Sequence, residues 1–365
     1  MINYRMDLRK SYFCGKYIQG NNAIDELPEL INLYGGKAFM LVTPSMNKMC
    51  EEHKLVNANS HYEVFRGPCC FEEVERLQGI AEQGDYTVVV GIGGGKVVDT
   101  AKVIADKLDM HVIMVPTVAA SSASFSACSV MYTRDNVEAG VYYEKHSPDV
   151  LLLDNSLLVG AKTRYFVAGM ADALTTFFEA RGCVQNGAPN SLHSRQTFIA
   201  MAMAEYCMET ILDYGVIAKT DYENKIITPA LERMLEINIL GAGIAFEGTG
   251  LAASHAIHNG ITTLPVHKDY LHGEIVNFGI LSELHLKDSD PDELNRIYDF
   301  SEKVGLPTTF ADLGMEGISD DQLMDVAKAT YDDPYLHHDG VNITAEEIFY
   351  AMKAADAVGR ARKGK

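Results

Sequence analysis

Four histidines lie close together in the second half of the chain. His255, His258, His267 and His272 fall within 18 positions of the segment GLAASHAIHNGITTLPVHKDYLHGE, residues 250–274. Imidazole nitrogens are common ligands of transition metals, and histidines this dense, flanked by glycine and small residues, favour a metal site. The other interpretation, that each is an ordinary core or surface histidine, stays open from the residues alone.

A carboxylate on a neighbouring helix could complete such a site. Asp172 lies in AGMADALTTF, residues 168–177, an otherwise apolar helical pattern in which an unpaired charge would be costly to bury. A helix cap or a salt bridge would also explain this residue. Together, Asp172 and the histidines indicate metal-ligating chemistry.

A second candidate site is the glycine turn in TVVVGIGGGKVVDTAK, residues 87–102. A β-branched run leads through four glycines into a helical pattern. Adjacent glycines let the backbone approach a ligand closely, and N–H groups at a helix start favour an anion. The turn matches neither G-x-G-x-x-G nor a P-loop, but it still predicts a site for a pyrophosphate.

Short apolar runs alternate with helical patterns through the first 160 residues. Strands are predicted at residues 38–43, 61–65, 88–90, 111–115 and 150–154. This alternation predicts an α/β domain with a parallel sheet, in which ligands bind at the carboxyl ends of the strands. The glycine turn falls at such an end.

The pattern changes in the second half. From Thr163 onward apolar residues recur at helical spacing, as at Phe166, Met170 and Leu174, which predicts an all-helical domain. A chain of 365 residues is too long for one ordinary core. We therefore expect two domains, 1–160 with the sheet and 161–365 with the helices and the histidine cluster.

Composition excludes several classes of function. The chain has 31 Lys and Arg against 50 Asp and Glu, a formal net charge of −19, which argues against a nucleic-acid partner. Its seven cysteines include no C-x-x-C pair, which argues against a disulfide framework and a thiolate zinc site. Without an apolar leader or a run of about 18 apolar residues, a cytoplasmic protein that does not enter the membrane is expected.

Four segments together resemble the glycerol dehydrogenase branch of the iron-containing, metal-dependent alcohol dehydrogenases. They are GIGGGKVVDTAK (91–102), PTVAASSASFSACSVMYT (116–133), AGMADALTTFFEA (168–180) and GLAASHAIHNGITTLP with YLHGE (250–274). The likeness extends from about Gly15 to about Pro307. It implies a nucleotide-binding α/β domain, a helical catalytic domain as in dehydroquinate synthase-like architectures, a catalytic cleft between them, and a homo-oligomer.

Carried over residue by residue, the resemblance makes Asp172, His255 and His272 the metal ligands. Iron-binding relatives have a fourth ligand, a histidine, where this chain has Thr176. Three ligands and an open position are typical of catalytic zinc, so Zn²⁺ is expected in preference to Fe²⁺. His258 is left to support the ligands or to face the substrate, and His267 is left without a direct role.

The resemblance assigns the cofactor contacts to the first domain. Gly94, Gly95 and Lys96 would meet the pyrophosphate of NAD or NADP, where a lysine adds a cation to the backbone donors. The adenosine and nicotinamide would lie along Thr117, Ala120, Ser126, Cys128 and Tyr132.

Two positions depart from the family pattern. Ser122 stands where glycerol dehydrogenases typically have an aspartate beside the substrate hydroxyls, so a ketone, an aldehyde or a 2-oxo acid is at least as well expected as glycerol. Pro44 stands about where NAD-specific relatives have an acid that accepts from the ribose 2′-OH. NADP is therefore not excluded, and Ser45 or Lys48 could contact its 2′-phosphate.

The expected function is that of a metal-dependent NAD(P) oxidoreductase that interconverts a small alcohol or polyol and its ketone or aldehyde. The first alternative is a reductase of 2-oxo acids, a hydroxycarboxylate dehydrogenase of the same family. A lyase resembling dehydroquinate synthase would need many Lys and Arg around a phosphorylated substrate, and segments 168–180 and 250–274 contain only Lys268. A non-catalytic nucleotide-binding protein would predict a broken metal site, whereas all three ligand positions are intact.

Overall fold

The computed structural model describes residues 4–46, 50, 60–340 and 342–364. The chain divides into two compact units, one formed by Tyr12–Lys162 and the other by Met1–Ser11 together with Thr163–Lys365. The first strand, β1 (Arg5–Arg9), therefore belongs to the helical unit, whereas the expected domain 1–160 includes it. The reason is that β1 pairs in parallel with a short strand far along the chain, β10 (Ser194–Arg195).

The unit Tyr12–Lys162 is built on a six-stranded sheet in which every pairing is parallel. Its strands are β2 (Lys16–Gly20), β3 (Ala38–Val42), β4 (His61–Val64), β5 (Val88–Gly93), β6 (His111–Pro116) and β9 (Val150–Asp154), in the spatial order β2-β9-β6-β5-β3-β4. The central strands are buried apolar runs, as in sheets covered on both faces. The predicted α/β fold with a parallel sheet is confirmed.

The order of the strands reverses beside β3. The chain runs outward from β3 to β4 and then returns to the other side of β3 with β5. Ligands of open parallel sheets bind outside the carboxyl ends at such a point. The glycine turn after β5 lies there.

The helices of this unit that lie wholly within the described residues are α1 (Leu27–Leu33), α2 (Phe71–Ala81), α3 (Gly95–Leu108) and α4 (Asn155–Leu158).

An antiparallel hairpin of β7 (Cys128–Tyr132) and β8 (Glu138–Tyr143) is absent from the sequence prediction. Most of β8 is exposed, so its residues form no continuous apolar run that would reveal a strand. The hairpin carries Cys128 and Tyr132, two of the expected cofactor contacts.

The predicted helical second half is confirmed. Its helices are α5 (Thr163–Gln185), α6 (Phe198–Glu223), α7 (Pro229–Glu236), α8 (Ala242–Thr249), α9 (Ala253–Ile261), α10 (His272–Leu286), α11 (Pro291–Val304), α12 (Asp320–Asp332) and α13 (Ala345–Arg362). One short strand interrupts them, β10 (Ser194–Arg195), which pairs in parallel with β1. Within the described chain, no helix has an apolar stretch long enough to cross a bilayer.

Candidate active site

The three expected metal ligands come together in the helical unit. Asp172 of α5, His255 of α9 and His272, the first residue of α10, present ligand atoms that all lie within 4.8 Å of one another. His272 Nε2 is 3.3 Å from Asp172 Oδ1 and 3.2 Å from His255 Nε2. Asp172 is buried, whereas 42% of the His272 side chain is exposed, so the cluster is reached from the side of His272.

Two glycines of α10 allow the helices of the cluster to approach one another. A Cβ on Gly273 would lie 1.9 Å from the Ala168 carbonyl oxygen of α5, and one on Gly279 would lie 2.4 Å from the Ser254 carbonyl oxygen of α9. Any side chain at either position would push the helices apart. The glycine next to His272 thus lets this imidazole reach Asp172.

Glu179 orients His255 from the opposite side. This carboxylate, two turns after Asp172 on α5, is fully buried and its Oε2 lies 2.7 Å from His255 Nδ1. Its Oε1 accepts the backbone N–H groups of Ala252 and His255, both at 2.9 Å. Since a carboxylate accepts, Nδ1 carries the proton of the neutral ring and Nε2 carries the lone pair. The lone pair points into the cluster.

The same carboxylate favours positive charge in the cluster. Burial lowers the pKa of His255, but the charge and hydrogen bond of Glu179 outweigh it, and the pKa is raised above its ordinary value. A cation at this place is therefore stabilised by the buried acid behind the ring.

Sequence reasoning did not single out Glu179, although a signal was present. It follows Asp172 by seven residues and so lies on the same face of an apolar helix. Because an unpartnered buried carboxylate is costly, two acids on one apolar face indicate a shared polar site.

Two further buried carboxylates hold the start of α9. The N–H of Ala253 donates to Asp339 Oδ2 at 2.7 Å, and the N–H of Ser254 donates to Glu283 Oε2 at 3.1 Å. The first N–H groups of a helix have no partner within the helix, so these acids fix its position and that of the imidazoles it carries. Lys287 Nζ lies 2.6 Å from Glu283 Oε1 and 2.5 Å from Asp339 Oδ1 and offsets their charge.

His258 lies behind His272. His272 Nδ1 is 3.0 Å from His258 Nε2, and His258 is buried. Thr176, at the position of the fourth ligand in iron-binding relatives, donates its hydroxyl to the Ala173 carbonyl oxygen at 2.7 Å. The side chain of His267 lies outside the described residues.

In the other unit the glycine turn leaves backbone exposed to a ligand. A Cβ on Gly93 would lie 2.7 Å from the Val97 Cβ, so the lack of a side chain at Gly93 lets Val97 pack against the turn. A Cβ on Gly94 would meet its nearest atom at 3.5 Å, and one on Gly95 would meet nothing within 4 Å. Gly94 caps α3 without a side-chain hydrogen bond, which is the arrangement an anion at a helix start requires.

Other expected cofactor residues lie around this turn. Lys96 Nζ is 4.6 Å from the centre of the Tyr132 ring and donates to Asn136 Oδ1, and burial lowers the pKa of Lys96. Thr117 directly follows β6, and its N–H donates to the Gly93 carbonyl oxygen at 3.0 Å. Ala120 and Ser122 lie in the loop between β6 and β7, where Ser122 is buried.

Lys102, which sequence reasoning missed, holds that loop and the hairpin together. Its fully buried Nζ lies 3.0 Å from the Ser126 carbonyl oxygen, 2.5 Å from that of Cys128 and 3.2 Å from Asp99 Oδ1. Burial lowers the pKa of Lys102, but Asp99 and Glu144 outweigh it and the pKa is raised. The lysine thus stays charged and fixes two of the expected cofactor residues.

Known proteins are similar to this chain in sequence and fold. A family model described as iron-containing alcohol dehydrogenase matches residues 14–155. A glycerol dehydrogenase of Thermotoga maritima is 43% identical over 356 residues, 96% of this chain and 98% of the relative. One of Citrobacter freundii is 37% identical over 355 residues, 94% and 96% of the two chains.

The solved structures agree. The crystal structure of a probable glycerol dehydrogenase from Sinorhizobium meliloti 1021 matches with a TM-score of 0.91 at 34% identity, over 97% of this chain and 99% of that one. The chain therefore belongs to the iron-containing alcohol dehydrogenase family. Within that family it is a glycerol dehydrogenase-like oxidoreductase, an enzyme acting on CH–OH groups, and the resemblance seen in the sequence is confirmed.

Proposed function

We propose that this protein is a zinc-dependent NAD(P) oxidoreductase that interconverts a small alcohol or polyol and its ketone or aldehyde. The observation that carries the proposal is the convergence of Asp172, His255 and His272 on one point. A carboxylate and two imidazole nitrogens are electron-pair donors, and His255 turns its lone pair inward because Glu179 holds its other nitrogen. Such a set is stable when a cation lies among its members.

The spacing of the donors suits zinc. Tetrahedral zinc has ligands at about 2.0–2.2 Å, so neighbouring ligand atoms are about 3.3–3.6 Å apart. His272 Nε2 lies 3.3 Å from Asp172 Oδ1 and 3.2 Å from His255 Nε2, close to that value. Since Thr176 stands where iron-binding relatives have a fourth ligand, one coordination position would be left for the substrate oxygen.

The chain's own residues would divide the work. When bound, the metal would polarise the substrate oxygen while the nicotinamide exchanges hydride with the carbinol carbon. The backbone at Gly94 and Gly95 would hold the pyrophosphate, and Lys96 would add a positive charge. Glu179 would keep His255 in the orientation that ligation needs.

The absence of an acid at Pro44 supports use of NADP as well as NAD. Pro44 begins a short 3₁₀ turn after β3, and Ser45 Oγ lies 3.3 Å from Thr43 Oγ1. Lys48 lies outside the described residues. We expect NADPH to be used at least comparably with NADH, and a strong preference for NADH in initial rates would contradict this.

A 2-oxo acid is the second candidate substrate. Ser122 is neutral and buried where the family's glycerol-binding aspartate would stand. A hydroxyl there would neither attract a polyol strongly nor repel a carboxylate. The relatives named glycerol dehydrogenase favour an alcohol or polyol, so the two candidates need a direct comparison.

The deciding experiment is a panel of cofactors and substrates on zinc-loaded protein, with NADH or NADPH against small ketones, aldehydes and 2-oxo acids, and glycerol in the reverse direction. The isosteric variant Asp172→Asn should lose both zinc and turnover. Turnover that survives in this variant would contradict the metal role. Efficient oxidation of glycerol at low concentration would contradict the interpretation of Ser122, whereas improved glycerol oxidation by Ser122→Asp would support it.

We also propose a cytoplasmic location, as expected from the sequence, and a homo-oligomeric state, which rests on the family resemblance. Light scattering coupled to size-exclusion chromatography tests the oligomeric state.

A further inference from the structure

A chain of hydrogen bonds leads from His272 to the end of α12. His272 Nδ1 lies 3.0 Å from His258 Nε2, and His258 Nδ1 lies 2.9 Å from Asn259 Oδ1. Asn259 Nδ2 then donates to Asp333 Oδ2 at 2.8 Å. The other carboxylate oxygen, Asp333 Oδ1, accepts the backbone N–H of Tyr335 at 2.9 Å.

Asp333, the last residue of this series of hydrogen bonds, decides which group donates and which accepts in every bond. Asp333 can only accept, so Asn259 turns its NH₂ group toward it and its carbonyl oxygen toward His258. His258 then donates from Nδ1, which leaves its Nε2 as an acceptor for His272 Nδ1–H. The lone pair of His272 therefore lies on Nε2, the atom that faces the other two ligands.

We propose that Asn259 and Asp333 are positioning residues that fix the tautomer of His272 through His258 and so prepare its Nε2 for the metal. This inference rests on the proposed metal site. Partners behind a ligating histidine select its tautomer and orientation. For His255 this partner is Glu179 in direct contact, whereas for His272 two intervening side chains transmit the preference of a carboxylate 61 positions further along the chain.

The isosteric variant Asp333→Asn reverses the donor and acceptor roles along this series of hydrogen bonds without changing the shape of the side chain. The Tyr335 N–H needs an acceptor, so the amide oxygen of the new side chain faces it and the NH₂ group faces Asn259. Asn259 must then turn its oxygen to position 333 and its NH₂ to His258, and the tautomers of His258 and His272 reverse. A proton on His272 Nε2 opposes ligation, and we expect zinc affinity to fall about tenfold.

A double variant restores the original donor and acceptor roles of His258 and His272. In Asn259→Asp combined with Asp333→Asn, the amide at position 333 donates to the carboxylate at position 259, which again accepts from His258 Nδ1–H. We expect zinc affinity within about threefold of the wild type, because coupled neighbours are not additive. Asp325→Asn, which removes an exposed acid of α12 paired with Lys328 at 3.1 Å, is the matched control and should bind zinc as the wild type does.

Zinc affinity is measured by calorimetry on the full-length protein after removal of metal, and the absorption spectrum of Co²⁺ in the site reports the ligand set. Asp333→Asn binding zinc as tightly as the wild type would overturn the proposal. A double variant that binds zinc no better than Asp333→Asn would also overturn it, since a merely structural role predicts loss in both. A wild-type protein that binds no zinc would instead overturn the proposed function.

Discussion

Two polar centres, one in each unit, differ in whether the chain itself supplies a positive charge. In the α/β unit, carbonyl oxygens and Asp99 surround the ammonium group of Lys102. In the helical unit, Asp172, His255 and His272 converge with no lysine or arginine among the three. The first centre is complete as soon as the chain folds, whereas the second, on the proposed function, is complete only when a metal ion binds.

If the proposed function holds, this difference separates a structural centre from a metal-binding centre. A cation that belongs to the chain contributes to folding at every condition in which it is charged, and removing it leaves buried acceptors without a partner. A cation from solution contributes only by mass action, so its centre can be emptied while the fold survives. Stability should therefore follow changes at Lys102, and metal affinity should follow changes around His255.

The largest expected effect is on stability. Lys102→Met leaves Asp99 and two carbonyl oxygens without their cation, and we expect the free energy of unfolding to fall by about 3–5 kcal/mol. Denaturant titration measures the loss, with Lys107→Met, an exposed lysine of the same helix, as the control that stays close to the wild type. A loss below about 1 kcal/mol would mean that Lys102 resembles a surface charge and would break the comparison.

The next effect is on metal affinity. In Glu179→Gln the backbone N–H groups of Ala252 and His255 still need an acceptor, so the amide oxygen faces them. The NH₂ group then faces His255 Nδ1 and selects the wrong tautomer. We expect zinc affinity to weaken about a hundredfold, or about 2.7 kcal/mol, with little change in the fold. Calorimetry checks this against Glu205→Gln, an exposed change on α6. Unchanged affinity would remove Glu179 from the site.

A smaller effect depends on pH and belongs to the Lys102 centre. Burial raises the pKa of Glu144 from its ordinary value of 4.5 to about 7, against the opposing charge of Lys102. Between these pH values the folded state binds more protons than the unfolded state, so the stability gained from this group is present below pH 4.5 and is lost as the pH rises through 7.

Relative to Glu144→Gln, we expect the wild-type free energy of unfolding to fall by about 2 kcal/mol across this window. Asp339, whose pKa burial raises to about 7, is present in both proteins and cancels in the difference. Denaturant titrations at several pH values measure the difference. A difference that stays constant or rises with pH would contradict the assignment.

The smallest expected effect concerns the cofactor. Lys96→Met removes the positive charge at the start of α3 and should weaken NADH or NADPH binding by about tenfold, without changing zinc affinity. Calorimetric titration of each cofactor checks this, again with Lys107→Met as the control. Equal affinity would place the pyrophosphate away from Lys96.

The sequence predicted the main elements that carry both centres, but not the partners that those elements meet in space. The apolar runs predicted five strands of the parallel sheet, and the periodicity predicted the helix that carries Asp172. Glu179 and Lys102 stood inside segments already recognised, and each follows an acid of the same apolar helix at helical spacing, Asp172 and Asp99. Their partners in space were not predictable, because a helical face does not say which other element it meets.

The sequence by itself determined the alternation of strands and helices and the glycine turn, because these depend on local periodicity and on residue type, and the family resemblance implied which three of its acids and histidines converge. Only the tertiary structure decided that β1 joins the helical unit, that Lys102 donates to the carbonyl oxygens of Ser126 and Cys128, and that hydrogen bonds connect Asp333 with His272 through two side chains. These features depend on contacts between distant positions. The donor and acceptor roles in a buried hydrogen-bond network are fixed only when the tertiary structure has paired every donor with an acceptor.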